Sequence, residues 1–324
     1  MRSLTLYYSD LPEQKQITKE IQILCDNLGV LFVDLCIDNN VELQRRFGKQ
    51  APVVLIGPYR LNSPFTLSEV EVAVKATLQQ DENVSDPVDA SRRFTMTRQE
   101  KLAMWFSKNY AWVISVIILV FLGFSALPPV LAANGNFGAA NAGYKFYSFV
   151  CHQLAFRSYF IEGEQAVYPR ELAQIPKLIT YEEFTGQSSG DIVFARGLIG
   201  DEVMGYKLAL CQRDVAIYAG LGLFGLFFHF SGRKIKNLRW IYWLIISVIP
   251  IAIDGGSQLP GLSAGWPAWL PNRESTPLLR TLTGGLFGLG TAWFVFPLME
   301  ESIRETRFSL ERKLNISKRY SSRQ

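Results

Sequence analysis

The sequence predicts two folds in one chain: an α/β domain over the first 80 residues, followed by an all-α polytopic membrane domain with four transmembrane helices. Charges occur at ordinary globular density through residues 1–110, whereas 111–133, 212–230, 240–259 and 278–298 are apolar runs nearly free of them. Each run is close to the roughly 20 residues that a helix needs to cross about 30 Å of hydrocarbon. Before them, strand-like runs at 3–8, 30–36, 53–57 and 59–62 alternate with helical periodicity at 13–27, 40–47 and 67–79, giving the order β-α-β-α-β-β-α.

Charge placement predicts an orientation. The chain is 48% hydrophobic with a net charge of +4, and its basic excess sits in short clusters beside the apolar runs. Arg92, Arg93, Arg98, Lys101 and Lys108 precede the first run; Arg233, Lys234, Lys236 and Arg239 lie between the second and third; Arg304, Arg307, Arg312, Lys313, Lys318 and Arg319 follow the fourth. Such clusters argue for membrane topology and against a nucleic-acid partner. Four spans place all three on one face, which the positive-inside rule makes cytoplasmic. The acidic segment 134–210, with Glu162, Glu164, Glu171, Glu182, Glu183, Asp191, Asp201 and Glu202, then lies outside. The opening MRSLTLYYSDLPEQKQ turns polar after one short apolar stretch, so no secretory signal peptide is expected.

The expectation is a multi-pass protein of the cell membrane with both termini cytoplasmic. A domain at 1–80 is followed by a linker and interfacial basic helix at 81–110, a membrane domain at 111–300 and a basic cytoplasmic tail at 301–324. Residues 80–91 are polar, contain Pro87 and lack periodicity. After them, Trp105, Tyr110 and Trp112 suit the headgroup level.

The N-terminal order resembles the thioredoxin and glutaredoxin fold over about 80 residues, with Ala51-Pro52-Val53 where that family has its cis-proline loop. The resemblance implies a CxxC pair at the start of the first helix, where the helix N-terminus lowers a thiol pKa. This chain has Ser9-Asp10-Leu11-Pro12-Glu13-Gln14 there, while Cys25 and Cys36 fall elsewhere. A docking module is expected rather than a dithiol oxidoreductase.

The second half resembles a prokaryotic membrane family, domain of unknown function 2085, over about 145–300. The resemblance is carried by Cys151-His152-Gln153 with Arg157-Ser158-Tyr159-Phe160 and Gly163, by Cys211-Gln212-Arg213-Asp214-Val215-Ala216-Ile217-Tyr218, by Asp254-Gly255-Gly256-Ser257-Gln258-Leu259, and by Glu274-Ser275-Thr276 with Arg280 and Thr283-Gly284. It implies a membrane domain and brings no reaction; many relatives have a second cysteine at the position of Asp214.

On the expected topology these motifs converge on the outer leaflet. Cys211, Asp214 and Tyr218 stand at i, i+3 and i+7 on one helical face, with Arg213 directed elsewhere, and Asp254 and Gln258 are one turn apart. An acid in a span costs roughly 3 kcal/mol unless paired, which makes Arg280 the expected partner of Asp254; Arg157 joins the ligand candidates. Cys151, His152, Cys211 and Asp214 admit three chemistries. They suit a transition metal such as zinc, Cys151 and Cys211 can form a disulfide in an oxidising compartment, or they are buried thiols beside a hydrogen-bonded histidine. His229, at the inner end of the second span, reads as interfacial.

Gly284 and Gly288 form a GxxxG pair suited to close helix packing. Gly255-Gly256 between Pro250 and Pro260 suggests a kinked or unwound third helix. The insert at 164–205 reads as loop with two short helices capping the outer face. No P-loop, Rossmann glycine pattern, HExxH or nucleophile elbow is present.

The leading functional expectation is a binding or assembly subunit in the bilayer, docking another membrane or cytoplasmic protein and carrying an outward Cys/His/Asp/Arg site. A membrane redox or metal-dependent enzyme using Cys151 and Cys211, and a small oligomeric transporter using Asp254 and Arg280, are the alternatives.

Overall fold

The computed structural model describes residues 3–38, 40–79, 95–259 and 273–321. The expected linker at 80–91, Arg92, Arg93 and Pro260 lie outside the described residues. The chain divides into two compact units, Met1–Lys108 with Arg304–Gln324, and Asn109–Ile303.

The first unit contains β1 (Ser3–Tyr8), α1 (Pro12–Asn27), β2 (Leu31–Cys36), α2 (Val41–Phe47), β3 (Val53–Ile56), β4 (Tyr59–Asn62) and α3 (Leu67–Gln79). The strands form one sheet in the order β2-β1-β3-β4. β1 is parallel to β2 and antiparallel to β3, and β3 is antiparallel to β4. Strand alternation sends Leu4 and Leu6 to one face, where they pack with Ile21 of α1 and Val70 and Val74 of α3. Tyr7 and Val53 face the other way, against Phe47. The Ala51–Pro52 peptide is cis. No cysteine stands at the start of α1; Ser9 Oγ and the Asp10 N–H donate to the Asp38 carboxylate at 2.8 and 2.6 Å, and Cys25 is buried in the core.

The expected basic tail is not a tail. One helix runs from Pro277 to Ser321, and its end belongs to this unit. Phe308 packs on Tyr7 and Phe47, with ring centroids 5.9 and 5.7 Å away, and Ile316 packs on Leu31 and Val33. Phe308, Arg312 and Ile316 stand four residues apart on one helical face, and Arg312 reaches the sheet with them, its Nε donating to Thr5 Oγ1 at 3.4 Å. Arg46 makes paired hydrogen bonds of 3.1 Å to Glu305, and Lys313 donates to Glu100 at 2.6 Å.

The second unit is not all-α. It holds α4 (Arg98–Phe124, whose first residues lie in the other unit), α5 (Leu127–Ala133) and α6 (Phe137–Tyr147), then β5 (Ser158–Ile161), the short helices α7 (Tyr181–Thr185) and α8 (Ile192–Gly197), β6 (Gly200–Asp201) and β7 (Gly205–Cys211). The strands form an antiparallel sheet in the order β5-β7-β6, in which β5 and β7 flank the 164–205 segment read as loop and short helices and β6 lies within it. α9 (Gln212–Phe230), α10 (Trp240–Gly256) and α11 (Pro277–Ser321) follow among the described residues.

Of the four expected spans, two among the described helices are long and apolar enough to cross a membrane: Arg98–Ala133, which takes in α4 and α5, and Pro277–Arg319 of α11. α9 opens on the polar Gln212-Arg213-Asp214, and Trp240–Gly256 is a shorter apolar helix. In α10 the irregularity is a π-helical turn at Leu244–Val248, before Pro250, whereas Gly255 and Gly256 remain helical. Proline lacks the N–H that would satisfy a preceding carbonyl, and a wider turn re-sorts the ladder around it.

Glycines bring α9 and α11 together. A Cβ on Gly284 would stand 2.6 Å from the Arg213 carbonyl oxygen, and one on Gly288 would overlap the Ile217 carbonyl oxygen. The GxxxG pair thus fixes the backbone separation of two helices that each carry site residues.

Candidate functional site

Two polar clusters open on one cavity of about 490 Å³, whose walls include Cys151, His152, Arg157, Cys211, Arg213, Asp214 and Arg280. The first cluster forms where β7 becomes α9. Cys211 ends the strand and occupies the N-cap position, and Asp214 stands in the helix's first turn, where a carboxylate suits the dipole. Cys151 follows α6 through a turn in which its N–H donates to Tyr147 O at 3.0 Å. The Cys211 N–H donates to Cys151 Sγ at 3.3 Å, and Cys211 Sγ donates to Asp214 Oδ2 at 3.2 Å. One ligand atom from each of Cys151, Cys211 and Asp214 lies within 4.8 Å of the others. Both thiols are free, so the disulfide alternative is not formed here. The hydrogen bond with Cys211 and then burial push the Cys151 thiol far above its ordinary pKa, which makes it a poor nucleophile unless a metal takes its proton.

His152 does not join this set. It is exposed and lies on the cavity wall, as successive residues diverge. Tyr218 packs edge-on to Phe121 at 5.2 Å, beside the thiols.

Gln153, the third residue of the first motif, is a clamp. Held at a left-handed φ of 56°, it donates to Tyr144 O at 2.8 Å and Ala209 O at 3.0 Å, tying α6 to β7. Lys207 on β7 donates to Gln153 O at 2.8 Å and Arg196 O at 2.6 Å, while the Tyr144 hydroxyl donates to Lys207 O at 2.6 Å. Burial lowers the Lys207 pKa to about 7. Gly163 is required by the same sheet, because a Cβ there would overlap the Met204 backbone.

The second cluster is a set of buried ion pairs, and here the sequence expectation is corrected. Asp254 does not pair with Arg280; it pairs with Arg213 and, at 3.4 Å, with Arg273. Arg280 pairs with Glu274. Gln258 links the two systems, donating to Asp254 O and accepting from Arg280 Nη2 at 3.0 Å. Glu274 also takes a two-pronged pair from Arg157, at 3.0 and 3.1 Å, and a bond of 3.0 Å from Arg170. The Glu274 side chain is 1% exposed and that of Asp254 3%. Burial, then repulsion from Arg213 and Arg170, lowers the Arg157 pKa to about 10.

This geometry defines a polar cavity walled by two thiols, a carboxylate and three guanidinium groups. The family described as "Predicted membrane protein (DUF2085)" matches residues 202–294, which contain Cys211, Asp214, Asp254, Glu274 and Arg280. The chain is also similar to an uncharacterized protein of Methanocaldococcus jannaschii, MJ1492, at 27% identity over 205 residues, covering 60% of this chain and 96% of the relative. No solved structure matches it.

Proposed function

We propose that the protein is a multi-pass binding subunit of the cell membrane, with four spans, both termini cytoplasmic and the cavity on the outer side. The observation that carries this reading is the convergence of Cys151, Cys211, Asp214, Arg157, Arg213 and Arg280, from three stretches of chain, on one cavity of about 490 Å³. Purely structural ion pairs have no need of a shared void, whereas ligand sites are concave with a few convergent polar groups. The α9 and α10 helices supply the second and third spans, which supports the even number that the basic clusters require. The strand order β2-β1-β3-β4 supports a thioredoxin-like docking domain for another membrane or cytoplasmic protein.

Native mass spectrometry of the full chain in mild detergent tests the reading. A retained small ligand or metal, lost in Cys151→Ala or Arg157→Gln, is expected; an apo mass in wild type and no mass gained with any added ligand class would sink it.

A second reading has its own observation, the three ligand atoms within 4.8 Å. Two thiolates and a carboxylate suit zinc or another thiophilic metal, with the cavity supplying the open position. Metal content and thiol counts on the same sample decide it, since a stoichiometric metal protects both cysteines from alkylation and a chelator exposes them.

A further inference from the structure

We propose that the cavity binds a phosphate-type oxyanion. This rests on the reading of the cavity as a ligand site and names the ligand's chemistry. Five guanidinium groups, Arg157, Arg170, Arg213, Arg273 and Arg280, share two carboxylates, Asp254 and Glu274. Asp214 on the cavity wall and Glu182, which acts on Arg170, bring the acids to four against five guanidinium groups, an excess of one. Glu182 is half-buried, and residues 260–272 contain no further acid.

Arg273 is half-exposed, but excess positive charge beside side chains as buried as Arg157, Arg170 and Arg280 is costly without a counter-charge. Three of the arginines, Arg157, Arg213 and Arg280, line the void itself, and Arg213 Nε is buried with no hydrogen-bond partner among the described residues. Guanidinium forks match phosphate oxygens two at a time, and a phosphate group carries about 1.5 to 2 negative charges at neutral pH. Leu154, Ile192 and Leu259 give the cavity an apolar flank beside these donors, so it accommodates a phosphate borne on a small organic group.

Free phosphate and a lipid phosphate headgroup share this chemistry. The full-length protein in phosphatidylcholine nanodiscs, titrated with inorganic phosphate at constant ionic strength set by chloride, reads the first source. Nanodiscs doped with phosphatidic acid read the second. The unfolding midpoint is expected to rise saturably in at least one arm. Arg157→Gln should weaken that response at least tenfold and Arg157→Lys less, while Lys145→Gln, on exposed α6 surface, leaves it unchanged. If Arg157→Gln does not fold, the comparison is read from Arg157→Lys, which retains the charge and loses the fork.

A response in the first arm alone assigns free phosphate, and one in the second alone assigns the headgroup. A response in neither arm, a chloride response of equal size, or one that the Arg157 variants leave intact would overturn the inference. A neutral or cationic species retained in native mass spectra beside two silent phosphate arms would remove this inference while leaving the ligand-site reading standing.

Discussion

Arg213 Nη2 closes on Asp254 Oδ2, joining the first turn of α9 to the last turns of α10. The pair holds two helix ends at the cavity rim and takes over the role expected of Arg280. Arg280 is pulled instead to Glu274, just ahead of its own helix, and Gln258 connects the two acids' networks. Removing one member of such a pair strands the other charge in a poorly solvated place. Asp254→Asn is therefore expected to destabilise the protein by about 3 kcal/mol, with thermal unfolding in detergent as the readout. The double variant Asp254→Asn with Arg213→Gln should cost less than the sum of the two single changes. Additive losses would show that the two side chains are not coupled.

Lys207 gives the protein a pH dependence of definite sign. Folded, its ammonium loses a proton near pH 7; unfolded, near 10.5. Between these values the unfolded chain binds more protons, so stability rises with pH, by at most about 1.4 kcal/mol per unit, and is flat below about pH 7 where both states are charged. Denaturation midpoints measured from pH 7 to 10 should climb in wild type. Lys207→Met should flatten the climb, even though it loses the bonds to Gln153 O and Arg196 O. An equal slope in the variant would assign the dependence to another group.

What the residues disclose in advance depends on how local the cause is. Cys211 and Asp214 are legible because i, i+3 spacing on a helix is a local fact, and the Cys211–Asp214 hydrogen bond follows from it. The same reasoning misplaces Arg213, since helical spacing fixes where a Cβ leaves the helix and not where a long guanidinium ends. Glu274 precedes α11 in a stretch without periodicity, so nothing in the spacing marks it as the acceptor for three arginines. β7 escapes notice because Gly205–Cys211 carries a lysine whose burial is compensated by the Gln153 and Arg196 carbonyls, both outside the strand. The end of α11 was obscured by its charge: counting arginines and lysines hides Phe308 and Ile316 at their regular helical spacing.

That end of α11 should matter to the N-terminal sheet. Phe308 covers Tyr7 and Phe47, while burial pushes the Tyr7 hydroxyl up to about 12. Phe308→Ala is expected to destabilise this unit by about 1–3 kcal/mol, given its partial burial. Hydrogen exchange at the amides of β1 and β3 should accelerate. Glu305→Gln, which breaks an exposed pair with Arg46, should change them by less than about 0.5 kcal/mol. Unchanged protection in Phe308→Ala would mean that the helix end does not cover the sheet in solution.

Two glycines one turn apart in α11 separate close packing from simple helix chemistry. Alanine is the better helix former by about 1 kcal/mol, so Gly→Ala inside a helix stabilises wherever a methyl has room. At Gly285 nothing stands within 4 Å of the added Cβ, and Gly285→Ala should be neutral or raise the unfolding midpoint. At Gly288 the methyl would overlap the Ile217 carbonyl, which is backbone and has no rotamer to yield with. Gly288→Ala should therefore lose about 1–3 kcal/mol despite its better propensity. Because α9 and α11 carry Arg213 and Arg280, the same change should also loosen the cavity, seen as faster alkylation of Cys211. Equal effects at the two positions would show that α9 and α11 do not meet at these glycines.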